Sequence, residues 1–174
     1  VRSSGQAKVK SCATDSDVEA FVRYCRRNLE LETMEVYGGE YDHSCVPLCV
    51  IDAVFSIGVR YRGVENTLSR FCEFSGIPKS RNRKMPPPTD QWPVSQLLKM
   101  HKRHGAKFMM EKVYCNRQRT STANGITKSE AVFRFAQVLG EFGVEYFQDV
   151  KKILGDAEFE AKIMQIPGQR SGIS

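Results

Sequence analysis

Apolar residues recur along most of this chain at intervals of three and four, the spacing that gathers them on one face of a helix. In residues 14–31, TDSDVEAFVRYCRRNLEL, the positions Val18, Phe21, Val22, Cys25 and Leu29 form such a stripe behind the capping candidates Asp15, Ser16 and Asp17. Residues 44–58, SCVPLCVIDAVFSIG, are apolar on most faces. That pattern predicts a central helix, capped by Ser44, with Pro47 tolerated in its first turn. The stretch GVENTLSRFCEF, from Gly63, carries Val64, Leu68, Phe71 and Cys72 as its stripe. Periodicity then breaks at SGIPKSRNRKMPPPTDQWP, whose basic residues and three consecutive prolines predict a flexible loop over 79–93. VSQLLKMHKRHG resumes with a short helix ending near Gly105.

The last third predicts three short helices in succession. In TKSEAVFRFAQVLGEFG, Thr127 and Glu130 make a capping box, Val132, Phe135, Ala136 and Leu139 make the buried stripe, and Gly140 suits the stop. VEYFQDVKKILGD repeats the plan with Phe147, Val150, Ile153 and Leu154 before Gly155, and Asp156 caps AEFEAKIMQI. No segment shows the strict alternation of a half-buried strand, and no internal repeat is visible. The pattern predicts an all-α chain.

Composition bounds that picture. With 174 residues, 41% of them hydrophobic, the chain can bury a core, and we expect a disordered tail over 1–11 followed by a single helical domain over 12–174. The longest apolar run contains Asp52 and is too short to span a bilayer, so no membrane partner is expected. The six cysteines lack the dense spacing of a secreted scaffold, and no signal peptide opens the chain. They are read as reduced thiols of a cytoplasmic or nuclear protein. The formal charge of +6 is regional: between Lys79 and Lys128 twelve Lys or Arg face only Asp90 and Glu111, and the rest is net acidic. Such a patch suits a polyanion, whose condensed counterions are released on binding. As a solvated basic loop it would look the same.

The terminal residues 166–174, IPGQRSGIS, carry the most specific signal. Pro167 stops the preceding helix, Gly168 permits positive φ, and Gly172 leaves room for a close backbone approach. A helix, this turn and the start of another helix would point unpaired N–H groups outward at the positive end of a helix dipole, an arrangement that suits phosphate. The chain is expected to end inside that element. As an ordinary Gly-Ser turn or a tail, the same residues would have no ligand.

In that order of elements, IPGQRSGIS resembles the helix-hairpin-helix of the endonuclease III-like (helix-hairpin-helix-GPD) DNA glycosylases. NGITKSEAV is similar to that family's Gly-x-x-x-x-Lys-Ala element, with Gly125 and Lys128 in the matching roles at a shorter spacing, and CVIDAVFSIGVRYRGVENTLSRF is similar to its long apolar helix, loop and next short helix. The resemblance covers residues 45–76 and 124–174, with 156–174 as a partial helix-hairpin-helix. It implies a multi-helix orthogonal bundle, incomplete at its C-terminus, and a DNA partner at Gly168, Gln169, Arg170, Ser171, Gly172 and Lys128. Arg170 stands where the family has its second hairpin glycine and could itself pair with phosphate. Gly172 stands where lyase members have a lysine, which excludes a Schiff base there, and the family's catalytic aspartate would lie beyond Ser174. The implied function is base-excision repair, by a monofunctional DNA glycosylase acting on a flipped base and needing no cofactor. The chain as it stands is then expected to bind DNA poorly and catalyse nothing. Its alternatives are a non-catalytic helix-hairpin-helix DNA-binding module and a helical protein-interaction domain without a DNA partner.

Two further loops carry candidate contacts. In SIGVRYRGV, Arg60 and Arg62 could hold phosphates while Tyr61 stacks on an unpaired base, or Tyr61 could be core and the arginines solvated. In NRQRTSTANG, Asn116, Arg117 and Arg119, with Gln118 and the hydroxyl side chains, make a phosphate-binding composition that a plain polar loop would share. Asp52 is either a general acid of raised pKa or a residue capping a helix or paired with an arginine. Cys45 and Cys49 near His43, or His101 and His104 with Cys115, could be drawn as zinc sets, but neither has Cys-x-x-Cys spacing and no metal is expected.

Overall fold

The structure is a computed structural model that describes residues 15–29, 42–82 and 84–168. The expected tail over 1–11 and the hairpin residues Gln169, Arg170, Ser171 and Gly172 lie outside the described residues. Among the described residues all regular structure is helical, and no helix is long and apolar enough to cross a membrane.

The chain divides into two compact units, Val1–Tyr37 and Gly38–Ser174. In the first, helix α1 spans Asp15–Asn28, with Asp15 and Asp17 in its first turn and Arg26 and Arg27 in its last, charges that complement the helix dipole at both ends.

The second unit is built around α2 (Val46–Ser56), which packs against α3 (Tyr61–Ser75) and α5 (Lys128–Glu141). Leu48, Ile51, Val54 and Phe55 of α2 are fully buried, with Val64, Leu68 and Phe71 from α3 and Val132 and Ala136 from α5, as the apolar run predicts. Truncating one such Leu or Phe costs about 2–5 kcal/mol in comparable cores. Ser44 does not cap α2. Its hydroxyl donates to the Pro78 carbonyl, and the N-cap is Cys45 without a side-chain bond.

Helix α4 (Val94–Phe108) runs antiparallel to α5: the Val94 N–H donates to the Glu145 carbonyl at one end, and the Ser129 hydroxyl donates to the Ala106 carbonyl at the other. Gly105 does not end α4 but kinks it, at φ 78° and ψ 153°, and a π turn over Met109–Val113 follows. Thr127 caps α5 by accepting from the Glu130 N–H, the backbone half of the expected box. The segment Phe147–Lys152 is 3₁₀ rather than α-helical: the Asp149 carboxylate takes the N–H groups of Glu145 and Tyr146 and holds the chain in a tight turn. Asp156 caps α6 (Ala157–Met164) through the N–H groups of Glu158 and Phe159.

The proline-rich stretch, expected to be flexible, is tied to the body at several of its described residues. Lys79 and Arg81 pair with the backbone of Ser44 and Asp42, and the Arg81 guanidinium lies against the Asp42 carboxylate and over the Phe147 ring. Gln91 and Gln148 bond each other and both donate to the Pro86 carbonyl. Trp92 sets its edge against Phe71.

Candidate functional site

Lys128 opens α5, and its side chain turns inward. Only 1% of the residue is exposed, and Nζ donates to the carbonyls of Phe55 at 2.9 Å and Ile57 at 2.7 Å. These belong to the C-terminal end of α2, where carbonyls lack helical partners and the dipole is negative, so the ammonium caps α2. Burial pushes its pKa below the usual lysine value. Both of these hydrogen bonds are made inside the fold, and Lys128 also borders the cleft described below.

The loop before α5 closes on itself. The Thr120 N–H donates to the Ile126 carbonyl and the Lys128 N–H to the Gln118 carbonyl, both at 2.9 Å. The Arg119 guanidinium donates to the Gly125 carbonyl. Gly125 is required at this point, because a Cβ would run into the backbone of Ser121. The Thr120 hydroxyl reaches across to donate to the Pro167 carbonyl at 2.6 Å, and Gly168, at φ 98°, lies against Thr120 so closely that a Cβ would collide with it. Thr120 thus fastens Pro167 and Gly168 to this loop.

Between this loop and the end of α2 lies an open cleft of about 580 Å³, lined by Gly58, Val59, Gln118, Arg119, Ser121 and Thr122 among others, and by no carboxylate among the described residues. Two segments singled out in the sequence, the loop after α2 and residues 116–128, therefore meet at the cleft, and Thr120 ties Pro167 and Gly168 to the second of them. Gly58 has φ 69°, a conformation that favours glycine and leaves the backbone without a Cβ at the cleft wall.

The remaining candidates separate by burial and partner. Arg60 and Arg62 are exposed at the start of α3 and make no ion pair among the described residues, while Tyr61 is half-buried and packs against the core. Arg117 pairs with Glu111 at 3.3 Å. Asn116 is architectural: its amide donates to the Thr67 hydroxyl and its carbonyl accepts the Gln118 N–H. Thr120 escaped the sequence reading because a threonine in a polar loop gives no sign that it will be buried against a residue 47 positions away.

Asp52 is neither a cap nor an arginine partner. His43 Nε2 donates to one of its oxygens at 2.7 Å and the Ser56 hydroxyl to the other at 2.9 Å. Burial raises its pKa, but these two bonds outweigh it, so the carboxyl is held below its usual range and is unsuited to act as a general acid. Burial pushes the Cys49 thiol up to about 12, away from nucleophilic chemistry. No group of three ligating side chains could hold a metal ion among the described residues. His101 bonds the buried Tyr114 hydroxyl at 2.9 Å, and His104 stacks on Phe108.

The model of a family described as a domain of unknown function (DUF8548) matches residues 19–174. Neither a curated protein nor a solved structure matches.

Proposed function

This chain belongs to the DUF8548 family, and we propose that it is a DNA-binding module of base-excision type that takes a sugar–phosphate backbone into the cleft between the α2–α3 loop and the loop before α5. The observation that carries this reading is the convergence of the α2–α3 loop and the loop before α5 on a cleft that no carboxylate lines among the described residues. An anion entering it would meet the Ser121 and Thr122 hydroxyls, the Gln118 amide and the exposed part of Arg119, with Arg60 and Arg62 following the wall formed by Gly58 and Val59. Hydroxyl, amide and guanidinium groups are the usual phosphate partners, and a glycine wall allows the closest approach.

The volume falls within the roughly 300–1,000 Å³ of sites that enclose small groups, so an unstacked nucleotide is the DNA feature the cleft suits best. Base release would further need an acid at the glycosidic bond. The lining offers none, and Asp52 is committed to His43 and Ser56. The reading is therefore of binding by this chain, with cleavage of the glycosidic bond left to a carboxylate outside its described residues.

The test is fluorescence anisotropy with a duplex carrying one abasic-site analogue, comparing the protein with the Arg60→Ala/Arg62→Ala variant. Loss of these two cations is expected to weaken binding several-fold at low salt. Indifference of the double variant, with binding intact, would remove the α2–α3 loop from the interface.

A further inference from the structure

Outside the cleft, the exposed side of α4 combines two features that are usually kept apart on a protein surface. The first is a ring cluster: His104 stacks on Phe108 with centroids 4.8 Å apart, and Phe74, from the end of α3, meets them edge-on at 6.0 and 6.2 Å. Although packed together, Phe74 remains 45% and Phe108 37% exposed. Large apolar side chains left in solvent as a group usually mark a binding surface.

The second is charge. From Gln91 to Met110 the sequence holds Lys99, Lys102, Arg103 and Lys107 and not one Asp or Glu. All four cations are exposed, and none takes part in an ion pair among the described residues. Lys99 and Arg103 fall one turn apart and line, with Trp92, Gln96, Met100 and His104, a shallow groove of about 180 Å³. This groove leads along α4 to the ring cluster through His104, which belongs to both. His104 and Phe108 stack across the kink at Gly105.

We propose that this face of α4, with Phe74, is a binding surface for single-stranded nucleic acid. Unpaired cations along the groove would follow the phosphates, and the phenyl faces would receive bases that a duplex keeps stacked inside. Charge complementarity excludes a basic partner. Flat rings beside the cations favour a polymer that carries a ring on every phosphate unit over an acidic peptide. The proposal uses none of the cleft residues, so it stands or falls separately from the DNA-binding reading above.

The experiment is fluorescence anisotropy of the whole chain with fluorescein-labelled oligothymidylate, with an abasic sugar–phosphate oligomer of equal length, and with polyglutamate. We expect oligothymidylate to bind more tightly than the other two. Phe74→Ala and Phe108→Ala should each weaken oligothymidylate about tenfold, in line with the loss of one stacked base, and leave the abasic oligomer unchanged. Phe108→Tyr, which keeps the ring, should retain binding, and circular dichroism would verify that each variant is folded. Lys99→Gln and Arg103→Gln should weaken both nucleic-acid polymers, each reducing the salt slope by about 0.7. Equal binding of the abasic oligomer or of polyglutamate overturns the proposal, as does absence of oligothymidylate binding. Undiminished binding by the folded alanine variants overturns it too. Loss confined to Arg62→Ala would assign the oligomer to the cleft and contradict the α4 surface.

Discussion

Lys128 shows how a single side chain is placed by partners distant in the sequence. Its charge and its position after a glycine are visible in the sequence, but its partners, the Phe55 and Ile57 carbonyls, are more than seventy residues away. Replacing it with Met keeps the bulk and leaves those carbonyls unpaired in the interior. Lys128→Met is expected to destabilise the fold by about 1–3 kcal/mol, measured as a lower urea midpoint with unchanged slope. His101 gives a second prediction. It is buried with Nδ1 lacking a partner, and burial lowers its pKa from 6.5 to about 4. The unfolded chain therefore binds the proton more readily, and stability falls as the pH drops through 6.5 toward 4, by up to about 3 kcal/mol in all. Asp52, whose pKa is also lowered, adds to this loss only below its ordinary value of 3.8. Urea denaturation at pH 7 and pH 4.5 should show the drop, and His101→Phe should flatten it.

Among the elements, those specified by local patterning were legible and those specified by distant partners were not. The stripe of α5 and the caps of α5 and α6 follow from residues within one turn of each other. The proline-rich loop was read as flexible because its own residues offer no periodicity. What fixes it is Gln91 bonded to Gln148 and Arg81 lying over Phe147, contacts that no local pattern contains. Gly105 kinks α4 and lets the chain continue into Met109–Val113. Its φ 78° and ψ 153° are close to a region that only glycine occupies at low cost. Gly105→Ala would meet no neighbouring atom, so its cost is purely conformational, about 1–3 kcal/mol. A thermal melt should show a clear decrease in Tm. An unchanged Tm would mean that the kink tolerates a Cβ.

At the scale of the whole molecule, helical class followed directly from the spacing of apolar residues, and the central place of α2 from its being apolar on most faces. The candidate cleft was legible only as separate loops. Lys128 holds the end of α2 beside the loop before α5, and Thr120 joins that loop to Pro167 and Gly168. The most direct measurement is binding of this chain to two duplexes, one intact and one with a single abasic-site analogue, across a salt series. We expect tighter binding to the abasic duplex, with affinity falling linearly in the logarithm of salt concentration as phosphate-bound cations are displaced. Absence of binding, or binding insensitive to both salt and the abasic site, would contradict the assignment of the cleft to DNA.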